Sequence, residues 1–109
     1  MANLIEWITN NIPESEIDGV VIGEMGWGDY ASSHVPKYNE QPRGKVLSWI
    51  DAKPLLDYEF SSGYGAPQCN AVYVWGKSTI MGICQYDGST APFFIPRNPI
   101  DIIPEMPGG

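Results

Sequence analysis

The chain has 109 residues, of which 43% are hydrophobic and 17% charged, and it contains 12 Gly and 10 Pro. Together these two residues are about twice as frequent as in an average protein. Because both break helix interiors, they exclude a coiled coil or a long-helix bundle. Four Trp, six Tyr and three Phe supply apolar surface for a folded core. The length fits a single domain over residues 1–109.

The net charge is −7, from 13 acidic and 6 basic residues, and the isoelectric point is about 4.4. Proteins that bind nucleic acid by neutralising phosphates need clustered Lys and Arg, whereas Arg43, Lys45 and Lys53 are interspersed with Asp51. The same charge disfavours an anionic membrane surface. No apolar run approaches the length of about 18 residues that spans a bilayer. We therefore expect neither direct nucleic-acid binding nor membrane association.

The N-terminal half predicts one short helix and two short strands. Asn3 is a candidate N-cap for a helix whose apolar residues fall near one face, and Pro13 stops it. An extended conformation of residues 6–9 is the alternative. The apolar segments 19–23 and 46–50 are typical of strands. Residues 26–44 contain several glycines and prolines and are predicted to be mostly loop.

Residues 70–75 and 78–85 carry the strongest pattern in the chain, two alternating strands joined by Gly76-Lys77. A two-residue turn of this kind fixes the register of the hairpin. The face that we expect to form the core pairs Val74 with Thr79, Val72 with Met81 and Asn70 with Ile83. The opposite face carries Ala71, Tyr73, Trp75, Ile80 and Gly82.

The same register places Cys69 opposite Cys84 on the second face of the hairpin, within the Cα spacing of a disulfide. Two cysteines are too few for a disulfide-stapled secreted scaffold. The first residues also lack the basic and apolar regions of a cleavable signal. We therefore expect reduced, packed thiols and a cytoplasmic protein.

The C-terminal segment predicts a third strand and an extended tail. An Asp-Gly turn at 87–88 leads into a strand over 91–95, which Pro92 and Pro96 restrict to an edge or a strand end. Residues 100–109 are predicted to be extended, with their isoleucines packed. The expected architecture is α+β: a small twisted antiparallel β-sheet with one or two short helices and long Gly/Pro-rich loops.

Catalytic and metal-binding groups are scarce. His34 is the only histidine, and neither Ser32 nor Ser33 can readily use it as a base from so close in the chain. Cys69 and Cys84 lack the spacing of zinc ligands. A Cys–His pair is conceivable, but a packed free cysteine is the commoner state. The sequence predicts no catalytic residue, no metal site and no cofactor, and hence not an enzyme.

Residues 1–30 contain six acidic residues and no Lys or Arg. Two interpretations stay open: a solvated acidic face, or a surface that imitates phosphates and meets a basic partner. Exposed aromatic residues are typical of protein interfaces and of sugar-binding platforms, although many Trp lie in cores. The candidate partner-binding residues are Glu14, Glu16, Asp18, Glu24, Trp27, Asp29, Tyr30, Tyr64, Tyr73 and Trp75.

Several short motifs follow one another along most of the chain. They are Trp7-Ile8, Pro13-Glu14, Val20-Val21-Ile22, Tyr86-Asp87-Gly88, and a hydrophobic stretch from Ile100 that ends with Pro104 and Pro107. In this order the chain resembles small phage and prophage proteins of the type called domain of unknown function 551. The resemblance implies no catalytic residue, and it favours a phage or mobile-element origin.

The leading functional prediction is a small acidic phage-type protein that blocks a host protein by direct contact in the bacterial cytoplasm. A nucleic-acid-handling defence complex of the restriction or CRISPR type is the expected target, because such complexes present basic grooves. One alternative is a ligand-binding module that uses Trp27, Tyr64, Trp75 or Tyr86 for a sugar or nucleotide. Another is a virion or assembly component. The sequence leaves the oligomeric state open.

Overall fold

The computed structural model describes residues 1–26 and 33–108 and has the predicted α+β architecture. A five-stranded and a two-stranded antiparallel sheet combine with two short helices. The strands are β1 (Ala2–Asn3), β2 (Gly19–Met25), β3 (Val46–Leu47), β4 (Glu59–Phe60), β5 (Asn70–Trp75), β6 (Thr79–Tyr86) and β7 (Ser89–Pro96). The helices are α1 (Leu4–Thr9) and α2 (Trp49–Leu56), with 3-10 turns at Glu14–Glu16 and Tyr38–Glu40.

Helix α1 begins where the sequence predicts it. The side chain of Asn3 accepts a hydrogen bond of 2.8 Å from the backbone amide of Ile5, which satisfies one of the free amides at the helix N-terminus. Leu4 and Ile8 are fully buried, and the helix ends before Pro13. The helix thus turns one apolar face to the core, as its spacing indicates.

The strand predicted over 46–50 is wrong after its first two residues. Only Val46–Leu47 is a strand, and helix α2 follows directly. Ser48 is the N-cap, because its hydroxyl accepts a hydrogen bond from the amide of Asp51 at 3.2 Å. Pro54 lies inside the helix and has no backbone N–H. The carbonyl of Ile50, an exposed residue, therefore lacks the usual helical hydrogen bond from position 54. The capping serine outweighs the strand propensity of the short apolar run.

The five-stranded sheet has the order β3-β2-β5-β6-β7. The predicted β5–β6 hairpin is present, but its register differs from the prediction by two residues: Val74 pairs with Met81, and Trp75 with Ile80. The loop is longer than two residues and is closed by the Gly76 amide, which donates to the carbonyl of Thr79 at 2.8 Å. Because side chains alternate with a period of two, this shift leaves the residues of β5 and β6 on their predicted faces.

The register shift removes the predicted juxtaposition of the two cysteines. Cys69 is buried in the core, Cys84 is half-buried, and both are free thiols. Burial raises the pKa of the Cys69 thiol to about 12. The expectation that the two thiols face each other is wrong, and their redox state stays a prediction.

The inner face of the five-stranded sheet, the side toward the helices, forms the core. Val20, Val74 and Met81 stand side by side on β2, β5 and β6, and all three are fully buried. Helix α2 packs on β2 and helix α1 packs on α2. Leu56 at the end of α2 and Phe60 on β4 also pack into this core. One layer of helix and loop thus covers one side of the sheet.

Asn70 anchors a polar network inside this core. Its side-chain oxygen accepts a hydrogen bond of 2.8 Å from the hydroxyl of buried Tyr58. Its side-chain nitrogen donates to the carbonyl of Gly23 at 2.8 Å and to the side-chain oxygen of Gln41 at 2.9 Å. These bonds join β2, β5 and the predicted loop segment 26–44, of which residues 33–44 are described. Buried polar groups are costly unless paired, and this one is fully engaged.

Strand β7 is the predicted edge strand, and its prolines occupy the outward-facing amide positions. Tyr86 pairs with Ser89 across the predicted Asp-Gly turn, in which Asp87 and Gly88 both have positive φ angles of 50° and 81°. The amide of Thr90 points away from β6 and donates to Ser62 at 2.9 Å. By alternation, residues 92, 94 and 96 share that outward direction. Proline at two of these three positions leaves the edge with few free donors.

The expectation that the isoleucines of the C-terminal tail are packed is wrong. Residues 97–108 follow β7 without regular secondary structure. Ile100, Ile102 and Ile103 are exposed, Ile103 to 88%. The tail passes beside β7 and leaves an apolar groove between itself and the sheet. Closely spaced prolines hold the chain extended, but none of the described elements covers these side chains.

Candidate protein-binding surface

The outer face of the five-stranded sheet is the side opposite the helices, and it is apolar from edge to edge. One row across the strands runs through Val46, Val21 and Tyr73, and the next contains Trp75, Ile80 and Ile95. A β-bulge between Ile22 and Met25 brings exposed Glu24 to the border of this face, 3.9 Å from Arg43. The other described residues that form the face are uncharged. They are Gly19, Val21, Gly23, Val46, Ala71, Tyr73, Trp75, Ile80, Gly82, Cys84, Phe93 and Ile95.

Several of these side chains are open to solvent. Val46 is 76% exposed and Tyr73 57%, and Ile95 is also exposed. Antiparallel sheets with one solvated face normally place polar side chains on it. Contiguous exposed apolar patches mark interaction sites in folded proteins. The outer face therefore carries the composition of a buried layer without being covered by any described part of the chain.

Tyr73 stands at the centre of this surface. It lies on the central strand β5 and meets Trp75 edge to face, with ring centroids 6.1 Å apart and planes at 82°. An apolar pocket of about 270 Å³ lies on the side of Trp75 and Ile80. A second, of about 350 Å³, lies on the side of Ala71 and Val21. Tyr73 lines both pockets, so that a protruding aromatic residue is flanked by two depressions.

Phe93 reaches the same surface because β6 offers no side chain beneath it. Gly82 pairs with Phe93, and a Cβ placed on Gly82 would lie only 2.7 Å from Cζ of the ring. Glycine therefore permits the close approach of the ring to the backbone. Phe93 lines both pockets beside Tyr73 and also the groove under the tail. It thereby joins the three depressions into one apolar surface.

The groove under the tail has a volume of about 790 Å³ and extends the outer face beyond β7. Phe93 and Ile95 form its sheet side, and Ile102, Ile103 and Pro104 form its tail side. The tail continues to Gly108, which lies beside the carbonyl of Gln85 at the far end of β6. The exposed tail isoleucines thus lie at the border of the outer face.

The acidic candidates of the N-terminal region do not form this surface. The carboxylate of Glu14 accepts hydrogen bonds from Nζ of Lys53 at 2.8 Å and from the Trp49 indole at 2.7 Å. Asp18 forms an ion pair with Arg97 at the end of β2. These bases come from distant segments of the chain, so the charge imbalance of residues 1–30 is partly compensated in the fold.

The Lys53 hydrogen bond, followed by that of Trp49, holds the pKa of the Glu14 carboxyl below its ordinary value. Glu24 lies 3.9 Å from the guanidinium of Arg43, and Glu16 is half-buried on the first 3-10 turn. Three of the four described acidic candidates thus have a basic neighbour. They are less suited to imitate phosphates than the sequence suggests.

The aromatic candidates separate into two groups. Tyr73 and Trp75 lie together on the outer face, as the predicted face assignment requires. Tyr64 is exposed at the opposite end of the sheet, beside the turn that contains Gly88. The length of β6 separates it from Trp75 by about 20 Å. A single platform containing both is not present. Trp27, Asp29 and Tyr30 lie outside the described residues.

The sequence reasoning missed Val46, Val21, Phe93 and Ile95 as members of this surface. The run from Ala91 to Ile95 is apolar at consecutive positions, a pattern of strands that are buried on both sides. That signal marks β7 as two-sided, but only the fold shows that its outer side is uncovered. Val46 is placed beside Val21 by the β2–β3 pairing, which no local motif indicates.

His34 takes part in loop packing. One of its ring nitrogens lies 2.6 Å from the backbone carbonyl of Gln68, and its ring meets Tyr58 edge to face with centroids 5.6 Å apart. Within residues 1–26 and 33–108, no three His, Cys, Asp or Glu side chains cluster as metal ligands. In that same part of the chain, no helix has the length and apolarity needed to cross a bilayer.

Comparison with protein-family profiles, with curated proteins and with solved structures finds no match to this chain. The resemblance to the phage proteins of the domain of unknown function 551 type therefore stays a prediction from the short motifs.

Proposed function

We propose that this chain is a protein-binding module that docks its partner on the outer face of the five-stranded sheet. The observation that carries the proposal is an uncharged face with an exposed aromatic centre and no covering layer in the described chain. Burial of apolar surface stabilises association by about 25 cal/mol per Å² before the costs of binding are met. Aromatic residues at the centre of such a face are typical anchors of interfaces.

The geometry of the sheet favours docking on its face over the addition of a strand at its edge. Strand addition needs a row of free backbone donors and acceptors. On β7, Pro92 and Pro96 remove two outward donors, and the amide of Thr90 is already bonded to Ser62. The other edge strand, β3, has only two residues. A partner therefore gains more from the side chains of the outer face.

The finer prediction, that the partner is a bacterial host protein blocked by contact, rests on the net charge of −7 and on the phage-type motifs. The compensated positions of Glu14 and Asp18 weaken the charge argument for a basic groove. The apolar outer face supports contact with a protein, but it does not indicate whether that partner is basic or acidic. A host defence complex and a cytoplasmic site of action stay predictions within this proposal.

A photo-reactive amino acid tests the docking surface in bacterial cells that produce the protein. A benzoyl-phenylalanine at Tyr73 is expected to give defined cross-linked protein products. The same group at Ile50, an apolar residue that is 83% exposed on the helical layer, is the matched control and is expected to give few. Equal yields from the two positions, or no product from Tyr73, would contradict the proposal.

A further inference from the structure

We infer that the partner docked on the outer face is a second copy of this chain, related by a two-fold axis beside Tyr73. The inference rests on the proposed function and names the partner of that surface. Three features support it: the position of Tyr73 between two apolar pockets, the distribution of charge, and the size of the outer face.

The surface is self-complementary about its centre. A two-fold interface brings the same patch of both subunits together, so each protrusion must meet a depression of the same patch. Tyr73 is the central protrusion, and an apolar pocket lies on each side of it along the strand direction. Rotation about an axis beside Tyr73 directs each ring toward a pocket of the other copy. Both pockets are lined largely by apolar side chains, which suit an aromatic ring.

The charge distribution permits two acidic chains to meet through this face. Each copy carries a net charge of −7, which opposes self-association in general. The described residues at the centre of the outer face are uncharged, and Glu24 at its border lies 3.9 Å from Arg43, so pairing the face buries no unpaired charge. Glu14 and Asp18 are held in ion pairs with Lys53 and Arg97. A neutral face is better matched by another neutral face than by a basic groove.

The size of the face reaches the lower range of specific interfaces. With strands about 4.8 Å apart and a rise of about 3.3 Å per residue, the face covers about 500 Å². Two copies would bury about 1,000 Å² in total, which is near the minimum for a specific complex. The exposed side chains of Ile102 and Ile103 line the groove beside the same surface and enlarge it. The two outer faces with their neighbouring tails are sufficient to form the interface.

Sedimentation velocity over a concentration series tests the inference. The wild-type chain is expected to change from monomer to dimer as its concentration rises, and to be mainly dimeric at about 100 μM. Tyr73→Glu is expected to weaken the dimer at least about tenfold, because it buries an unpaired carboxylate. Ile50→Glu introduces the same charge on the helical layer and is expected to leave the dimer unchanged. Circular dichroism and urea unfolding verify that both variants fold.

A cross-linking experiment tests the position of the axis. Facing sheets pack about 10 Å apart, too far for a direct disulfide but within reach of a short bis-maleimide. In a Cys84→Ser background, Ala71→Cys, which keeps the Tyr73 ring and lies two residues from it on the same face of β5, is expected to give a cross-linked dimer, and Ile50→Cys is the control. A wild-type chain that stays monomeric, or a dimer insensitive to Tyr73→Glu, would overturn the inference. So would equal cross-linking at the two positions.

The outcomes separate this inference from the proposed function. If the wild-type chain is monomeric but the photo-reactive group at Tyr73 captures a different protein, the second-copy inference fails and the docking surface stands. If that group captures the chain itself and the dimer depends on Tyr73, both are supported. If the chain is monomeric and the group captures nothing, both fail.

Discussion

The inner and outer faces of the five-stranded sheet are built from similar residues but have different neighbours. On the inner face, Val20, Val74 and Met81 are fully buried beneath helices and loops. On the outer face, Val46 and Tyr73 stand in solvent. The inner face also contains the Asn70 network, which fixes β2 and β5 to the loop that covers them. The outer face has no comparable polar anchor.

The inner and outer faces of the sheet therefore differ less in their residues than in whether other parts of the described chain pack on them. A strand that is apolar at consecutive positions belongs between two layers. In the described chain, only one of those layers is present. In the proposed function, the second layer comes from another molecule.

Truncation of neighbouring residues on β6 should give the largest contrast between the faces. Met81→Ala removes a fully buried inner side chain and is expected to lower the free energy of unfolding by about 2–5 kcal/mol. Ile80→Ala, one residue away on the outer face, is expected to cost less than about 1.5 kcal/mol in the monomer. Urea unfolding at a concentration where the chain is monomeric measures both. Equal losses would mean that the outer face is as well covered as the inner one.

Loss of the polar anchor should have the next largest effect. Asn70→Ala leaves the hydroxyl of Tyr58 and the carbonyl of Gly23 without their bonds to this side chain, at an expected cost of about 1–3 kcal/mol. Asn98→Ala, at an exposed position, is the control and is expected to change stability by less than about 0.5 kcal/mol. Thermal and urea unfolding measure the difference. A cost for Asn70→Ala no larger than the control would show that the network does not anchor the inner face.

The two thiols report on the two environments separately. Cys84 is half-buried at the outer face and is expected to react with a thiol reagent in the folded protein. Cys69, whose pKa burial raises to about 12, is expected to react only after unfolding. A disulfide reagent that releases one coloured thiolate for each protein thiol should therefore show, by absorbance at pH 8, one reactive thiol in the native state. Cys84→Ser should abolish the native reaction and Cys69→Ser should retain it; the reverse pattern would contradict the assignment of faces.

A smaller effect on stability is expected from the hydrogen bond between Lys53 on α2 and Glu14. Lys53→Met should raise the pKa of Glu14 toward its ordinary value, because the main hydrogen bond that lowers it is lost. A group whose pKa is lowered by folding adds stability above its unfolded pKa and loses that contribution as the pH falls through the folded pKa. The stability difference between Lys53→Met and wild type should thus be present at pH 7 and vanish at acidic pH.

Carbon-detected NMR titration of the Glu14 carboxyl measures this change directly. Lys37→Met, at the start of the second 3-10 turn, removes a lysine that is not bonded to Glu14 and is expected to leave its pKa unchanged. An identical shift in both variants would indicate a general charge effect instead of the specific bond to Lys53.

Local patterns account for most of the fold that could be predicted. The Asn3 cap, the strand at 19–23, both hairpins and the edge position of β7 follow from residues that are close in the chain. The register of the β5–β6 hairpin could not be fixed, because closure from Gly76 to Thr79 competes with a two-residue turn. Likewise, the N-cap at Ser48 competes with the strand propensity of the residues around it.

The candidate site was predictable only in its centre. Alternation along β5 was sufficient to place Tyr73 and Trp75 on one face. The partners of the acidic residues were not predictable, because Lys53 and Arg97 reach Glu14 and Asp18 from distant segments. Tertiary contacts between remote segments also decide whether an apolar tail is covered, and the tail isoleucines are not.

The prolines on β7 also disfavour one route to open-ended assembly. A sheet with an open edge grows without end as each added chain presents a new edge, which is the route to fibres. Pro92 and Pro96 interrupt that route, while the outer face, once occupied by a symmetric partner, offers no second copy of itself. Association should therefore stop at a defined stoichiometry, and the most hydrophobic surface of the chain becomes compatible with high concentration.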